Sequence, residues 1–427
     1  MAGTWTPRYR VLLGIGFLAA LAVRLWLLPM PGYTGDIDQF VDWVRHIANN
    51  GLPRAYDEHL SFGPVMAFVW WLLGALDPAF RTATGSSDLG IRILMKLPAT
   101  IADFGIAAAV VFWFRSRPAL AIIGAVGFLL VPATAFVSAW WGQYESIFTL
   151  AVLLALLFAR ADRDGLAVVA LTVAVMTKPQ AAPLAIPFAA WFLARANLLG
   201  IAGIVRLGAI AALTTLVLWL QFIAAGGPGK YLSGLGRYQD VFYAILSLNA
   251  WNFWWIVQEL VGHGRLVGDN HPFLGPLTFR MIGYLLTGGL LLVVGYGVWR
   301  RPTPRTLALG LAAAALVAFS FLTTMHERYG YAALALLAVL VDDRRGRALG
   351  LAAAAVTSLN LVAAAVATGY PVPDVPIGGV VGLIGSAVTV AIALLLVREV
   401  LRPETQAIGA GTPLGTSAGS GAATSGA

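Results

Sequence analysis

Apolar runs separated by short polar turns make up most of the chain. Runs of about twenty apolar residues suit the hydrocarbon core of a bilayer rather than the interior of a water-soluble domain. About twelve such runs occur, with ends defined to within a few residues: 9–30, 91–114, 119–138, 146–160, 164–178, 179–196, 202–224, 274–299, 304–324, 329–342, 347–368 and 377–398. The pattern predicts an all-α fold, a polytopic transmembrane helix bundle.

Two connections, 31–90 and 225–273, are much longer than the others, and such loops are usually functional or disordered. The first contains an amphipathic pattern that predicts a helix lying in the membrane interface. Its apolar face is Ile37, Phe40, Val41, Val44 and Ile47, and its polar face is Asp42, Arg45, His46 and Asn49. Residues 62–77 are apolar but too short to span a bilayer, so we expect a re-entrant or juxtamembrane helix.

The tail, 403–427, is rich in Gly, Ala, Ser and Thr, has almost no charge, and is predicted to be disordered. Residues 1–402 then form one transmembrane domain. An even number of spans places both termini on one side. The arginines of the short loops fall on that same side, which identifies it as cytoplasmic. Both long loops are therefore expected to be extracytoplasmic, in a multi-pass protein of the cell membrane.

Composition narrows the possible functions. Of 427 residues, 59% are hydrophobic and 11% are charged, and there is no cysteine, which excludes disulfides, thiolate metal sites and thiol catalysis. The formal net charge of +8 comes from arginines and lysines scattered through short loops, as the positive-inside bias predicts. We therefore expect a lipid bilayer around the protein and no nucleic acid as a partner.

Ionisable residues within the predicted spans need a partner or a wet cavity. Arg92, Lys96, Thr100 and Asp103 follow helical spacing on one face of the second span. Two interpretations stand: a tie between Lys96 and Asp103 that holds two helices, or a cationic lining for an anionic headgroup. Arg24 is expected to snorkel at the outer end of the first span.

The remaining polar clusters all fall on the extracytoplasmic side, which suggests an active site there. They are Asp36–Asp38, Trp141–Gln143, Thr177–Gln180, Asn249, Asn252 and His326–Tyr329. Lys178, Arg328 and Lys96 could together hold a phosphate or diphosphate. Because the chain has no P-loop and nucleoside triphosphates are not supplied outside the cell, that phosphate is expected to belong to a lipid.

Asp36 and Asp38 supply the acidic part of this predicted site. A carboxylate at this position could accept a proton from an attacking hydroxyl, as a general base does. Both residues also lie at the start of the amphipathic helix, where carboxylates are favoured as caps. The local sequence leaves these two interpretations equal.

Taken in order, these motifs resemble the GT-C superfamily of membrane glycosyltransferases. Within it, they are most similar to bacterial mannosyltransferases related to the second mannosyltransferase of GPI-anchor synthesis. The resemblance covers residues 10 to 345 and rests on these segments: Gly35–Asp38, Lys96–Pro98 with Asp103, Trp141–Glu145, Thr177–Gln180, Ser247–Asn252 and His326–Tyr329. One departure is Ser61–Pro64, where relatives often carry a Tyr-Pro-Pro turn.

The resemblance implies a polyprenyl-phosphate sugar donor and an extracytoplasmic active site. By position, Asp36 is the first candidate for the base and Asp38 the second. The donor phosphate is expected to bind to Lys178, Arg328, His326 and Lys96. Substrate contacts are expected from Gln143, Glu145, Asn249, Asn252 and Tyr329.

We therefore expect an inverting glycosyltransferase that moves a hexose, with mannose preferred, to a lipid, glycan or protein acceptor. No cofactor is expected, although Asp36, Asp38 and Glu145 could gather around a divalent metal. The first alternative is transfer of another sugar: glucose, arabinose or aminoarabinose. A transporter or flippase for a lipid-linked substrate is less favoured, because the inner loops offer only short arginine-rich turns.

Overall fold

A computed structural model describes residues 4–263, 265–367, 369–370 and 374–402. Seventeen α-helices follow one another along these residues. The first nine are α1 (Pro7–Leu27), α2 (Thr34–Asn50), α3 (Pro64–Leu76), α4 (Leu89–Trp113), α5 (Pro118–Leu130), α6 (Pro132–Ala135), α7 (Glu145–Arg160), α8 (Asp164–Val175) and α9 (Ala185–Ala194). The others are α10 (Ala196–Ile223), α11 (Gly227–Arg237), α12 (Phe253–Gly262), α13 (Phe279–Arg300), α14 (Pro304–Phe321), α15 (Tyr331–Ala338), α16 (Arg344–Ala367) and α17 (Gly379–Leu401).

Short irregular helices and strands join these elements. The 3-10 helices are Leu52–Glu58, Pro78–Arg81, Pro179–Leu184 and Glu327–Gly330, and the π-helices are Phe136–Trp141 and Tyr238–Phe242. Four short strands form two pairs: β1 (Ser247–Leu248) with β4 (Met325–His326), and β2 (Pro272–Leu274) with β3 (Leu277–Thr278). The predicted class, an all-α polytopic membrane bundle, is confirmed.

Seven of the described helices are long and apolar enough to cross a membrane: α1, α4, α10, α13, α14, α16 and α17. Helix α5 and the segment Pro132–Trp141 form an eighth candidate, bent by 53°. Four predicted spans instead form shorter helices, namely α7, α8, α9 and α15. Polar loops at 177–180 and 326–329 interrupt the apolar runs. The number of membrane spans, about twelve by the sequence pattern, therefore stays a prediction.

The first long connection folds against the bundle as helices. Helix α2 buries the predicted apolar face, including Ile37, Val41 and Ile47, and packs on α3. Aromatic rings fill the junction, with Phe40 stacked on Trp70 at a centroid distance of 5.9 Å. The amphipathic helix is confirmed, and its apolar face is covered by protein.

A buried ion pair fastens α1 to α4. Arg24 is fully buried and donates to Asp103 Oδ2 from Nε at 3.0 Å and from Nη2 at 2.7 Å. The expectation that Arg24 snorkels is therefore wrong, because a buried carboxylate on the neighbouring helix compensates its charge. The same pairing excludes the predicted tie between Lys96 and Asp103.

The second long connection contains α11, a π-helix, α12 and strands rather than an extended loop. Strand β1 pairs in parallel with β4, which places Leu248 opposite His326. Arg280 of α13 holds this region by donating to buried Asp269 at 2.9 and 2.8 Å. The predicted disordered tail, 403–427, lies outside the described residues.

Candidate active site

A polar cavity of about 300 Å³ lies where both long connections meet the loops that follow α8 and α14. Predicted site residues from four separate clusters line it: Asp36, Gln143, Lys178, His326, Arg328 and Tyr329. The structure therefore brings together residues almost three hundred positions apart in the chain, as the one-sided arrangement of polar clusters predicts.

Asp36 lies in the first turn of α2 and is held by other side chains. Its Oδ2 accepts hydrogen bonds from Trp141 Nε1 at 3.0 Å and from Gln143 Nε2 at 2.5 Å. Arg328 Nη2 lies 3.5 Å from the same oxygen. The side chain is 21% exposed. These contacts favour a role at the cavity over the alternative of helix capping.

The donors to Asp36, Trp141 and Gln143, flank a turn at a glycine. The π-helix Phe136–Trp141 ends at Gly142, whose φ of 84° favours glycine, and Gln143 follows directly. Ser138, within this π-helix, donates to buried Asp103 at 2.6 Å. The Arg24–Asp103 pair thus also fixes the segment that positions the carboxylate of Asp36.

Two cations flank the carboxylate of Asp36. Lys178 is buried, and its Nζ lies 2.5 Å from Glu145 Oε1 and 5.1 Å from the ring centre of Tyr329. Burial lowers the pKa of the Lys178 ammonium, and the neighbouring Glu145 carboxylate opposes that shift. Arg328 Nε lies 3.6 Å from the same Glu145 oxygen. One buried carboxylate therefore orients both cations.

The loop that carries Arg328 holds two more ionisable groups. Burial, followed by the charge of Arg328, lowers the pKa of His326 well below its ordinary value, so its imidazole is neutral near pH 7. Burial raises the pKa of Glu327 to about 7. Glu327 Oε1 lies 3.2 Å from Arg328 Nη1. His326 can therefore offer hydrogen bonds to a ligand, while the charge of Glu327 changes near neutral pH.

Several buried polar atoms around the cavity lack a hydrogen-bond partner within the described chain. Among them are Gln143 Oε1, Gln180 Oε1 and Arg328 Nε. Gln143, Gln180 and Arg328 all line the polar cavity. Since buried polar groups normally have partners, these atoms are suited to a ligand that brings both hydroxyl donors and anionic oxygens.

Five predicted site residues lie outside the lining of the polar cavity, and Asp38 and Lys96 are two of them. Asp38 Oδ1 accepts hydrogen bonds from the backbone N and the hydroxyl of Ser86 at 2.7 and 2.6 Å, which anchors the end of the first connection. Lys96 donates to the carbonyls of Leu28 and Met30 at 3.3 and 2.6 Å. Lys96 therefore closes the end of α1 and does not line the cavity that contains Lys178 and Arg328.

Glu145 and the two asparagines also serve the scaffold. Glu145 is buried outside the lining residues and holds Lys178. Asn252 caps α12 through Trp255 N at 2.9 Å and donates to the carbonyl of Phe319 at 3.0 Å. The carbonyl of Asn249 accepts from the side chain of Asn360 at 2.7 Å. Direct sugar contacts from Glu145, Asn249 and Asn252 stay predictions that this geometry does not favour.

Asp36, Asp38 and Glu145, the three carboxylates considered as metal ligands, each bond to different side chains. Asp36 is held by Trp141 and Gln143, Asp38 by Ser86, and Glu145 by Lys178. In the part of the chain that the structure describes, no group of three or more histidine, aspartate or glutamate side chains could hold a metal ion.

The sequence analysis did not identify three residues that line the polar cavity, Gln39, Tyr238 and Tyr243. Gln39 lies one turn after Asp36 on α2 and donates to Tyr238 Oη at 2.8 Å, so helical spacing could have identified it. Tyr238 and Tyr243 come from the second long connection, where no motif marked them. Tyr243 packs edge-on against His326 with ring centres 5.1 Å apart.

An apolar cavity of about 290 Å³ adjoins the polar one. The two cavities share five lining residues: Pro179, Gln180, Leu322, Met325 and Tyr329. Most of the other residues lining the apolar cavity are apolar, among them Phe148 and Phe319. The junction therefore joins a charged compartment to one suited to hydrocarbon.

Comparisons with known proteins identify a family for the chain. A model of the ALG6, ALG8 glycosyltransferase family matches residues 21–364, a range that includes every predicted site residue. A crystal structure of ArnT from Cupriavidus metallidurans bound to undecaprenyl phosphate is similar at 16% sequence identity and a TM-score of 0.47, over 91% of this chain and 76% of that one. A search of curated proteins found no match.

Proposed function

The chain belongs to the ALG6, ALG8 glycosyltransferase family, and on that premise we propose that it transfers a hexose from a polyprenyl-phosphate donor to a hydroxyl acceptor with inversion. The observation that carries the proposal is the grouping of Asp36, Lys178 and Arg328 around one polar cavity that adjoins an apolar one. A general base, an anion site and a lipid compartment are what this reaction needs.

The donor fits across the junction of the two cavities. Its phosphate pairs with Lys178 and Arg328, whose charges are held at the cavity by Glu145. Its first isoprene units occupy the apolar cavity beside Phe148 and Phe319. The sugar then lies in the polar cavity, where Gln143 Oε1 and Gln180 Oε1 accept hydrogen bonds from its hydroxyls.

In the reaction, the acceptor oxygen forms a bond to the anomeric carbon while the bond from that carbon to the phosphate oxygen breaks. Asp36 takes the acceptor proton, and the lipid phosphate leaves with the bonding electrons from the opposite face. Arg328 and Lys178 stabilise the charge that develops on that phosphate. The transfer then requires one carboxylate as a base and none as a nucleophile, and the two cations provide charge stabilisation without a metal ion.

The charge of the cavity favours a neutral sugar. Among its described lining residues, Asp36 is the single carboxylate, and it faces two cations. An amino sugar would bring a third positive charge without a second carboxylate to pair with it. The proposed donor sugar is therefore a neutral hexose, with mannose as the first expectation from the motif resemblance and glucose as the second.

The proposed orientation has both termini in the cytoplasm and the polar cavity on the extracytoplasmic side, as the arginines of the short loops favour. The acceptor is proposed to be a lipid, glycan or protein hydroxyl that enters from that side. Cysteine labelling from either side of intact cells tests the orientation, because the natural chain has no cysteine.

The donor is tested with purified protein in native lipid extract that supplies acceptors. Radiolabelled polyprenyl-phosphate mannose, glucose and aminoarabinose are compared, each with and without a metal chelator. Transfer of mannose or glucose, unaffected by the chelator, is expected. Transfer of aminoarabinose alone would contradict the neutral-sugar proposal, and loss of all transfer with the chelator would contradict catalysis by the two cations.

A further inference from the structure

A second polar cavity, of about 180 Å³, lies at the opposite end of the bundle. The ends of α13 and α17 and the starts of α14 and α16 surround it. We call it the basic pocket and define it by four arginines: Arg301, Arg305, Arg345 and Arg402. It has no part in the reaction described above.

Helix α14 fixes the position of the basic pocket relative to the polar cavity. Arg305, in the first turn of α14, lines the basic pocket, whereas Leu322, directly after the last turn, lines the polar cavity. The 18 residues of α14 extend over roughly 27 Å, close to the thickness of the hydrocarbon core. The basic pocket therefore lies at the opposite membrane surface, at the depth of lipid headgroups.

The charges of the basic pocket do not balance. Its four arginines face two lining carboxylates, Asp343 and Glu399. Arg305 pairs both with Asp343 and with Asp342, which lies outside the lining. Glu399 is shared between Arg402 at 2.7 Å and Arg345 at 3.5 Å. Among the described contacts, Arg301 donates to a carbonyl, that of Val400, rather than to a carboxylate. Arg301 and Arg345 therefore retain donors for an anion.

Apolar side chains complete the wall of the basic pocket. Leu309, Leu349 and Leu396 lie further into α14, α16 and α17 than the arginines of the same helices. A phospholipid has this same order, with a charged phosphate at the surface and hydrocarbon beneath it. Leu396 is fully buried in the bundle core, whereas Leu309 and Leu349 are only partly buried, so these two leucines can contact an acyl chain that a free phosphate ion lacks.

We propose that the basic pocket binds the phosphodiester headgroup of an anionic phospholipid in the leaflet opposite the active site. The phosphate oxygens pair with Arg301 and Arg345, and the upper part of an acyl chain packs on the partly buried Leu309 and Leu349. The proposal is independent of the donor and of the transfer reaction.

The test measures lipid binding to the full-length protein by native mass spectrometry in a neutral detergent. Phosphatidylglycerol, phosphatidylcholine and inorganic phosphate are added separately to the wild type and to the double variant Arg301→Gln/Arg345→Gln. The matched control is Arg115→Gln/Arg163→Gln, which removes two exposed arginines from the same membrane surface outside the pocket.

The wild type and the control are expected to bind phosphatidylglycerol more tightly than phosphatidylcholine. The pocket variant is expected to bind phosphatidylglycerol roughly 30-fold more weakly than the wild type. Equal affinity in the wild type and the pocket variant, or an equal loss in the control, would overturn the proposal. Displacement of the lipid by millimolar inorganic phosphate would overturn the assignment to a lipid. Glycosyl transfer in phosphatidylcholine is expected to be unchanged in the pocket variant, which also verifies its fold.

Discussion

Replacing Arg24 by methionine removes one half of the most deeply buried ion pair of the bundle. Both Arg24 and Asp103 are fully buried, and two guanidinium nitrogens lie within 3.0 Å of one carboxylate oxygen. After the change, Asp103 keeps hydrogen bonds from Ser138 and Tyr331 but has no cation beside it in the described structure. Breaking a buried pair in this way costs about 3–5 kcal/mol of stability.

A second variant distinguishes the effect of an unpaired buried charge from the effect of lost side-chain packing. Arg24→Met/Asp103→Leu removes both charges, so no carboxylate is left uncompensated. Ser138 still donates to the carbonyl of Thr134 at 2.9 Å, whereas the hydroxyl of Tyr331 loses its acceptor. One unsatisfied buried hydroxyl costs about 1–3 kcal/mol. The double variant is therefore expected to be more stable than Arg24→Met alone.

The assay is reversible unfolding of purified protein in mixed micelles titrated with SDS, followed by tryptophan fluorescence. Arg8→Met is the matched control, because Arg8 is an exposed residue of the same helix, and its change is expected to stay within about 0.5 kcal/mol. A loss below about 1 kcal/mol for Arg24→Met, comparable to a surface pair, would refute the buried pair and restore the snorkelling interpretation.

Three further predictions concern the site. In the first, Lys178→Met is combined with Glu145→Gln, so that neither partner of this ion pair is left as an unpaired buried charge. The double variant is expected to lower the rate of single-turnover transfer by about 10²–10³-fold. A rate within threefold of wild type would contradict the role of Lys178. Because burial raises the pKa of Glu327 to about 7, its carboxylate forms above that pH and competes with the donor phosphate for Arg328. The donor KM is therefore expected to rise as the pH increases through about 7, and Glu327→Gln should remove that rise; an unchanged pH profile in this variant would count against the pairing. Asn252→Ala is expected to cost about 1 kcal/mol of stability through the lost cap at an unchanged KM, whereas a raised KM with normal stability would favour the sugar contact predicted from the sequence.

The helices that carry a periodic pattern of apolar residues could be predicted from the sequence. The apolar runs identify the long helices, and the spacing of Ile37, Val41 and Ile47 identifies α2. The grouping of Asp36, Lys178 and Arg328 also follows from threading the spans. The resemblance to membrane glycosyltransferases agrees with the family match, whereas the narrower resemblance to mannosyltransferases stays a prediction.

The predictions that failed concern contacts between side chains on different helices. The local sequence around a residue does not show which distant side chain it will contact. Arg24 resembles a snorkelling residue until Asp103 is seen beside it. The sequence ranks Asp36 above Asp38 only through the motif resemblance, whereas the structure separates them directly, because Asp36 faces the cavity and Asp38 binds Ser86. Tyr238 and Tyr243 reach the cavity only because the second long connection folds back over the loop of His326.

The measurement that tests the central claim most directly is the rate of sugar transfer by Asp36→Asn beside Asp38→Asn. Both hydrogen bonds to Asp38 fall on a single oxygen, which an asparagine retains, so the second variant is a conservative control. With the donor that the wild type uses, Asp36→Asn is expected to insert normally and to lose about 10²–10⁴-fold in rate. Asp38→Asn is expected to keep a rate close to wild type. Wild-type turnover by Asp36→Asn, or an equal loss in both variants, would contradict the assignment of Asp36 as the base.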